Sequence, residues 1–434
     1  MYNVVDKIKD CMDLKRDNMM SNFKITKFAC YTAYFTMSSI FCVPPILFVT
    51  FRELYGISYT LLGTLVLINF FTQLGIDLLF TAFSKYFNVK ITVRIMPIVT
   101  AVGLLVYALI PSLFPNIAYL GLLSGTVLFS ISAGLSEVLL SPMIAAIPSD
   151  NPQRDMSMLH SLYAFGTFTM ILVSTAFLKL FGTDKWMYLI IFLSCLPLIA
   201  AIMFMISPIP NMNDGSPRSA SFGDTKRRAI GLALCVACIF FGSCSENAMS
   251  NWISTYMENA LGIDKSIGDI FGVAMFAILL GIARILYAKF GKNITKTLLI
   301  SMIGAAICYL IVGLSTNVIM AFIACVMTGF CTSMLWPGTL IMMEEKLPNA
   351  GVAAFALMAA GGDLGASLSP QLLGIVVDKI SVTDFAINIG NTLNISAEQV
   401  GLKIGMLATA CFPIIGIVIV LIILKYFKKN KFSA

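Results

Sequence analysis

The sequence predicts an all-α membrane protein, twelve transmembrane helices arranged as two pseudo-symmetric six-helix bundles. Three observations carry that expectation. Of 434 residues, 58% are hydrophobic and only 12% charged, where a soluble chain carries about 25% charged residues and could not cover its surface with so few. The apolar residues gather into twelve runs of the length a bilayer demands, about 20 residues each. Lys and Arg concentrate in alternate loops between those runs.

Taken in order, apolar runs bounded by charges, Pro, Gly or Asn fall at about 25–50, 59–82, 92–112, 117–146, 158–179 and 187–207, then 229–256, 267–288, 296–315, 318–343, 350–377 and 401–427. In hydrocarbon a chain must pair its own backbone groups, and these runs are too long for barrel strands, so each is a helix. Residues 1–24 form a charged amino-terminal tail, 208–228 a Pro-, Gly- and Ser-rich linker, and 428–434 a basic carboxy-terminal tail. The expected bundles are therefore 25–207 and 229–427. If the amino terminus is cytoplasmic, 23 of the 29 Lys and Arg fall in the tails and even-to-odd loops, leaving 6 opposite. The positive-inside rule then puts both termini and the linker in the cytoplasm of a multi-pass plasma-membrane protein.

The halves echo one another. A shift of 195 residues lays Gly134, Pro142 and Gly166 on Gly329, Pro337 and Gly361, and a shift of 206 lays Gly56-Ile57 and Leu74-Gly75-Ile76 on Gly262-Ile263 and Leu280-Gly281-Ile282. Two offsets that keep helix order point to a six-helix duplication. Repeated halves joined by a tether are the arrangement of an alternating-access carrier, with its solute between the halves near mid-membrane.

Much else is excluded. The +7 net charge is dispersed in small clusters instead of forming one basic face, so no nucleic acid partner is expected. Ten of eleven cysteines sit in apolar runs, and Cys235-x-x-Cys238 has neither a second pair nor a nearby His; no metal site and no disulfide framework follow. The sequence holds no phosphate-binding GxxxxGK[ST] and no recurring set of nucleophile, base and orienting group, so neither a cofactor nor enzymatic activity is expected.

Six plus six helices, a central cytoplasmic loop and the internal repeat resemble the major facilitator superfamily over residues 25–427. Within it, Glu246-x5-Trp252-x3-Tyr256 followed by Leu261-Gly262 resembles the seventh helix of the fucose and related sugar/proton symporters. The superfamily's basic-Gly loop between helices 2 and 3 is degraded to Ser84-Lys85-Tyr86-Phe87-Asn88-Val89-Lys90, and its second copy, Arg284 with Lys289-Phe290-Gly291-Lys292, is closer. Those symporters use an acid in helix 4, which Glu137 matches, and one in helix 1, where this chain has only Ser38 and Ser39.

Ionisable groups at bilayer depth cost several kcal/mol unless they face a cavity or partner, which makes Glu137, Glu246 and Asp363 candidates for proton coupling. Ser243, Glu246, Asn247, Ser250, Asn251 and Ser254 follow one helical face; the stripe either borders a wet cavity or glues helices together. Glu246, Asn247 and Asn251 are thus candidates for solute binding, with Asn69 and Gln73 from a second polar face, Tyr34 and Ser39 in helix 1, and Trp336 as an apolar platform. Asp77, Arg154, Arg284 and Glu345 stand where helices meet the cytoplasm, positions for a cytoplasmic gate or for static ion pairs. His160 near the start of helix 5 suits a structural role. The expected function is movement of a small polar organic solute, a sugar first, by alternating access driven by proton symport, in a monomer whose partners are the solute, the proton and the lipid bilayer. The alternative is proton-driven efflux of amphipathic compounds, suggested by 25 Met and 32 Phe.

Overall fold

The computed structural model describes residues 23–83, 88–149, 152–210, 226–347 and 351–429, so nearly all of the amino-terminal tail, most of the linker and the last five residues lie outside it, as does Ser84 to Phe87 of the degraded loop motif. The described residues are organised as helices without strands. The first half contains α1 (Lys24–Ile46), α2 (Phe48–Tyr55), α3 (Tyr59–Phe83), α4 (Val89–Leu113), α5 (Ala118–Ala146), α6 (Pro152–Phe181) and α7 (Trp186–Ile206). The second contains α8 (Lys226–Thr255), α9 (Met275–Phe290), α10 (Ile294–Leu314), α11 (Val318–Thr332), α12 (Pro337–Lys346), α13 (Gly351–Ser381), α14 (Asp384–Leu393), α15 (Ala397–Thr409) and α16 (Cys411–Lys429). Between α8 and α9 the chain forms two π-helical stretches, Tyr256–Ala260 and Gly268–Ala274, separated by a turn capped by Asp264.

Nine helical segments among the described residues are long and apolar enough to cross a bilayer, and α1 with α2 makes a tenth span bent by 51°. The other two expected spans are α6, apolar over Phe165–Phe181, and α13, whose Gly-rich, Ser-rich sequence lowers its hydropathy because it packs on protein. Three expected single helices are broken instead. Pro44 and Pro45 remove two amide donors and bend the first span at Leu47. Pro337 divides the tenth span into α11 and α12, and a turn at Ala410 separates α15 from α16.

Local sequence explains most ends. Asn88, Asn293 and Asn317 each accept from a backbone N–H three residues on, and Ser396 with Gln399 forms a capping box. The repeat seen in the sequence has a backbone counterpart. Gly56 and Gly262 both end a helix in the left-handed conformation, at φ 63° and 65°, which favours glycine. Two residues later, Ser58 and Asp264 each accept amide hydrogens at the start of the next span.

Two compact units result. The first holds the described residues through Cys42, Gly75–Met170, and those from Lys185 to 210. In it α4 packs between α5 and α7, close enough at Gly125 that a Cβ would lie 2.6 Å from the Tyr107 backbone nitrogen. Its polar anchor is Asp155, in the first turn of α6, which pairs with Lys27 and accepts from Ser149 at 2.6 Å. Burial would raise the Asp155 carboxyl, but the Lys27 ammonium and the Ser149 hydroxyl hold it below the usual carboxylate range. A depressed folded value contributes stability above the unfolded pKa, and that stability is lost as pH falls through the folded value. Asp155→Asn should therefore cost about 1 kcal/mol at pH 7, a deficit that shrinks on acidification below about pH 4. Melting curves of both proteins from pH 7 to 3 check this; a pH-independent deficit would contradict it.

The second unit holds everything from α8 onward together with Val43–Leu74 and Ile171–Asp184. Its core is α8 packed along α13 and α16, with Met302, Leu335, Met342, Met343 and Phe427 among the buried side chains.

Candidate functional site

In the second unit the site grows from the polar stripe of α8. Within a helix in hydrocarbon, spare side-chain donors turn back on the preceding turn, and the stripe does so. Asn247 Nδ2 donates to the Ser243 carbonyl at 3.1 Å and its hydroxyl at 3.2 Å, and Asn251 Nδ2 donates to the Asn247 carbonyl at 2.9 Å. Both Asn247 amide hydrogens and one of Asn251 are thus occupied within α8, which leaves the two side-chain oxygens and the second Asn251 N–H as what the stripe has to offer. Glu246, just before Asn247 on the same stripe, is half-buried and within electrostatic reach of Arg284 on α9.

Arg284 is held by a backbone defect. Pro337 has no N–H, so the Ser333 carbonyl one turn earlier lacks its normal helical donor. Arg284 Nε supplies the missing hydrogen bond at 3.0 Å. Arg284 thus stands with Glu246 and the break in the tenth span; among the described residues it forms no ion pair with Glu344 or Glu345, both exposed on α12. Trp336, at the same break, lies on Gly362 of α13, where a Cβ would fall 2.3 Å from its ring. The neighbouring Asp363 is half-buried. Glu246, Arg284 and the break flanked by Trp336 form one locality.

Elsewhere in this unit, Asn69 and Gln73 are buried side by side on α3, Gln73 Nε2 donating to Asn69 Oδ1 at 2.9 Å. Trp252 and Tyr256, which carried the resemblance to sugar symporters, are packing residues. Both are fully buried; Trp252 Nε1 donates to the Pro370 carbonyl at 3.0 Å and Tyr256 OH to that of Val312 at 2.6 Å.

In the first unit Glu137 sits on α5, exposed although Ser136, Leu139 and Leu140 beside it are buried. The Tyr34 phenol of α1 is within its electrostatic reach. Ser39 is buried and donates its hydroxyl hydrogen to the Thr36 carbonyl at 2.7 Å, which leaves only acceptor capacity on its oxygen. A narrow cleft between α1, α4, α5 and α7 is lined by Thr36, Thr100 and Ser136 among apolar groups. Its hydroxyls are already bonded within the protein, and Glu137 is not among its walls. The side chains of Asp77, Arg154 and His160 lie outside the described residues.

A polar fastening that sequence reasoning missed closes one end of the second unit. Asp378 of α13 accepts the first amide hydrogens of α3, from Tyr59 at 3.1 Å and Thr60 at 2.6 Å, a carboxylate placed at the positive end of a helix. Glu398 of α15 takes Arg52 Nε at 3.2 Å and the Tyr59 hydroxyl, while the Arg52 guanidinium stacks 4.2 Å from the Tyr59 ring. Asn259 donates to the same hydroxyl at 2.8 Å. The end of α6 makes the counterpart contact, Thr175 Oγ1 reaching Asp269 at 3.5 Å. Asp269 could have been noticed as an acid inside the apolar run 267–288; Asp378 and Glu398 look like ordinary helix-end charges until the chain is folded.

A bundle of spanning helices with half-buried acids and a polar stripe defines a polytopic membrane transport protein. The family model of the Major Facilitator Superfamily matches residues 28–370, and the chain belongs to that superfamily. Solved structures agree on the fold. A bacterial homologue of the human lysosomal transporter Spinster, in an inward-facing and occupied conformation, has a TM-score of 0.71 at 14% identity, covering 95% of this chain and 99% of that one. A D-xylose–proton symporter gives 0.69 at 15% identity over 90% and 97%, and the nucleoside transporter NupG 0.66 at 15% over 95% and 100%. No curated protein sequence matches significantly.

Proposed function

We propose that the protein is a secondary transporter that carries a small polar organic solute, a sugar first, by proton symport across the plasma membrane, both termini lying in the cytoplasm. The carrying observation is Glu137, an acid on a spanning helix that is accessible although Ser136, Leu139 and Leu140 beside it are buried. Such a group is costly to maintain and can load and release a proton as access alternates. The D-xylose–proton symporter of like fold supports the same class of chemistry, and the Lys and Arg distribution supports the orientation.

For the solute, Glu246 and the amide oxygens of Asn247 and Asn251 act as acceptors for hydroxyl hydrogens, and the Trp336 ring gives an apolar face. With three of the four amide hydrogens turned back on the helix, this surface favours solutes that donate hydrogen bonds. Asp363 is a second candidate acid, and Asn69 and Gln73 a second polar face. The six-helix halves 25–207 and 229–427 move as the rocking bodies around the site.

A thermal-shift screen against sugars, nucleosides, organic acids and amphiphiles identifies the solute. Glu137→Gln in proteoliposomes should then abolish proton-driven accumulation of that solute while exchange continues. Full accumulation by this variant would remove Glu137 from the mechanism.

A further inference from the structure

Asp269 is 1% exposed, in the π-helical stretch that opens the eighth span. Such stretches widen a helix and recur at functional sites. Its carboxylate accepts from Ser254, the last residue of the α8 stripe, and from Thr175 of α6. Lys265 Nζ lies 3.9 Å from Asp269 and 3.2 Å from Glu258. One ammonium therefore serves two carboxylates, and the other charged neighbours add to the imbalance. Asp264 acts on Asp269, and Glu53 of α2 acts on Glu258. Asp269 is the buried member, while the Glu258 and Lys265 side chains keep 24% and 13% exposure, so the unbalanced negative charge is costliest on Asp269. Water would meet that cost if α6 stood away, and with α6 docked one proton taken from water would meet it.

We infer that Asp269 binds a proton as the end of α6 closes on it and gives it back to the same side as α6 withdraws, so that acid opposite the termini holds that side shut. This deepens the proposed function and rests on alternating access alone, not on the solute or on Glu137. The bond made is Asp269 O–H, with the hydrogen shared to the Thr175 or Ser254 hydroxyl, and the bond broken is an O–H of hydronium or water. This proton enters and leaves on one side, so it gates the cycle and is distinct from the driving proton.

The test uses full-length protein in proteoliposomes without solute. Nitroxides at Leu180→Cys and Ile267→Cys, in a cysteine-free background, report the separation of α6 from the eighth span by pulsed electron resonance. For a single linked proton the ratio of closed to open should rise up to about tenfold per unit of acidification between pH 8.5 and 5. Asp269→Asn should stay closed at every pH. Glu258→Gln, which lets Lys265 balance Asp269 alone, should also lose the response, and it decides the matter if the first variant misfolds. A pH-independent wild type, variants that titrate like wild type, or a response to sodium at constant pH would each overturn the assignment. None of these outcomes touches Glu137, so this inference and proton symport can fail separately.

Discussion

Gly374→Leu should leave the second half folded and prevent α3 from docking on it. A Cβ at Gly374 would lie 2.3 Å from the Tyr59 carbonyl oxygen and 3.2 Å from the Trp252 ring. A backbone carbonyl cannot rotate out of the way, so the start of α3 must retreat, taking with it the amide hydrogens held by Asp378. Each charge-assisted bond of that kind contributes about 1.5–3 kcal/mol, and losing two shifts a two-state equilibrium by at least about a hundredfold. Ile57, only 4% exposed beside this contact, is the reporter. An Ile57→Cys residue should react with an impermeant maleimide more than about tenfold faster once Gly374 is leucine, and net transport should stop. Unchanged labelling would show that this contact does not govern access.

The same substitution nine residues earlier should have a different outcome. Gly365 faces α8, where a Cβ would stand 2.4 Å from the Phe240 carbonyl oxygen and 3.2 Å from the Cys244 nitrogen. Both atoms are backbone in the central helix pair of the unit, and no docked segment can yield in their place. Overpacking of this kind costs about 1–3 kcal/mol in side-chain cores and more where backbone must shift. Gly365→Leu should give little monodisperse protein on size exclusion and a melting midpoint lowered by several degrees. Gly281→Ala is the control, since nothing lies within 4 Å of its Cβ position; it should be neutral or slightly stabilising. A stable, monodisperse Gly365→Leu would mean α8 and α13 are less tightly joined than their geometry states.

These two glycines mark what the sequence does and does not reveal. Span-length hydropathy locates the spans because hydrocarbon leaves a chain few options. It reports nothing about which face of α13 meets α8 and which meets α3, so Gly365 and Gly374 look alike on the page. The polar stripe of α8 is legible from its period. That its amide hydrogens turn back on Ser243 and Asn247 is not, because the same residues could equally have faced water. Helix α14 falls between two expected spans, where ten residues are too few for hydropathy to single out, although Thr383 before it and Asn394 after it, the latter at φ 54°, are ordinary start and stop signals. Asp378 and Glu398 acquire their partners across more than 300 residues of chain, a distance no local pattern encodes.

The joint at Pro337 ties two tasks to one side chain. Arginine presents five N–H donors in a rigid planar fork, whereas lysine presents a single ammonium point. Arg284 can therefore mend the orphaned Ser333 carbonyl with Nε while its terminal nitrogens stay free to answer the charge on Glu246. A proton settling on the acid would release that guanidinium and an anionic group on a cargo molecule would compete for it, so either would change the load on the articulation of the tenth span. Chemical state and mechanical state then meet in a single residue, with no relay between them.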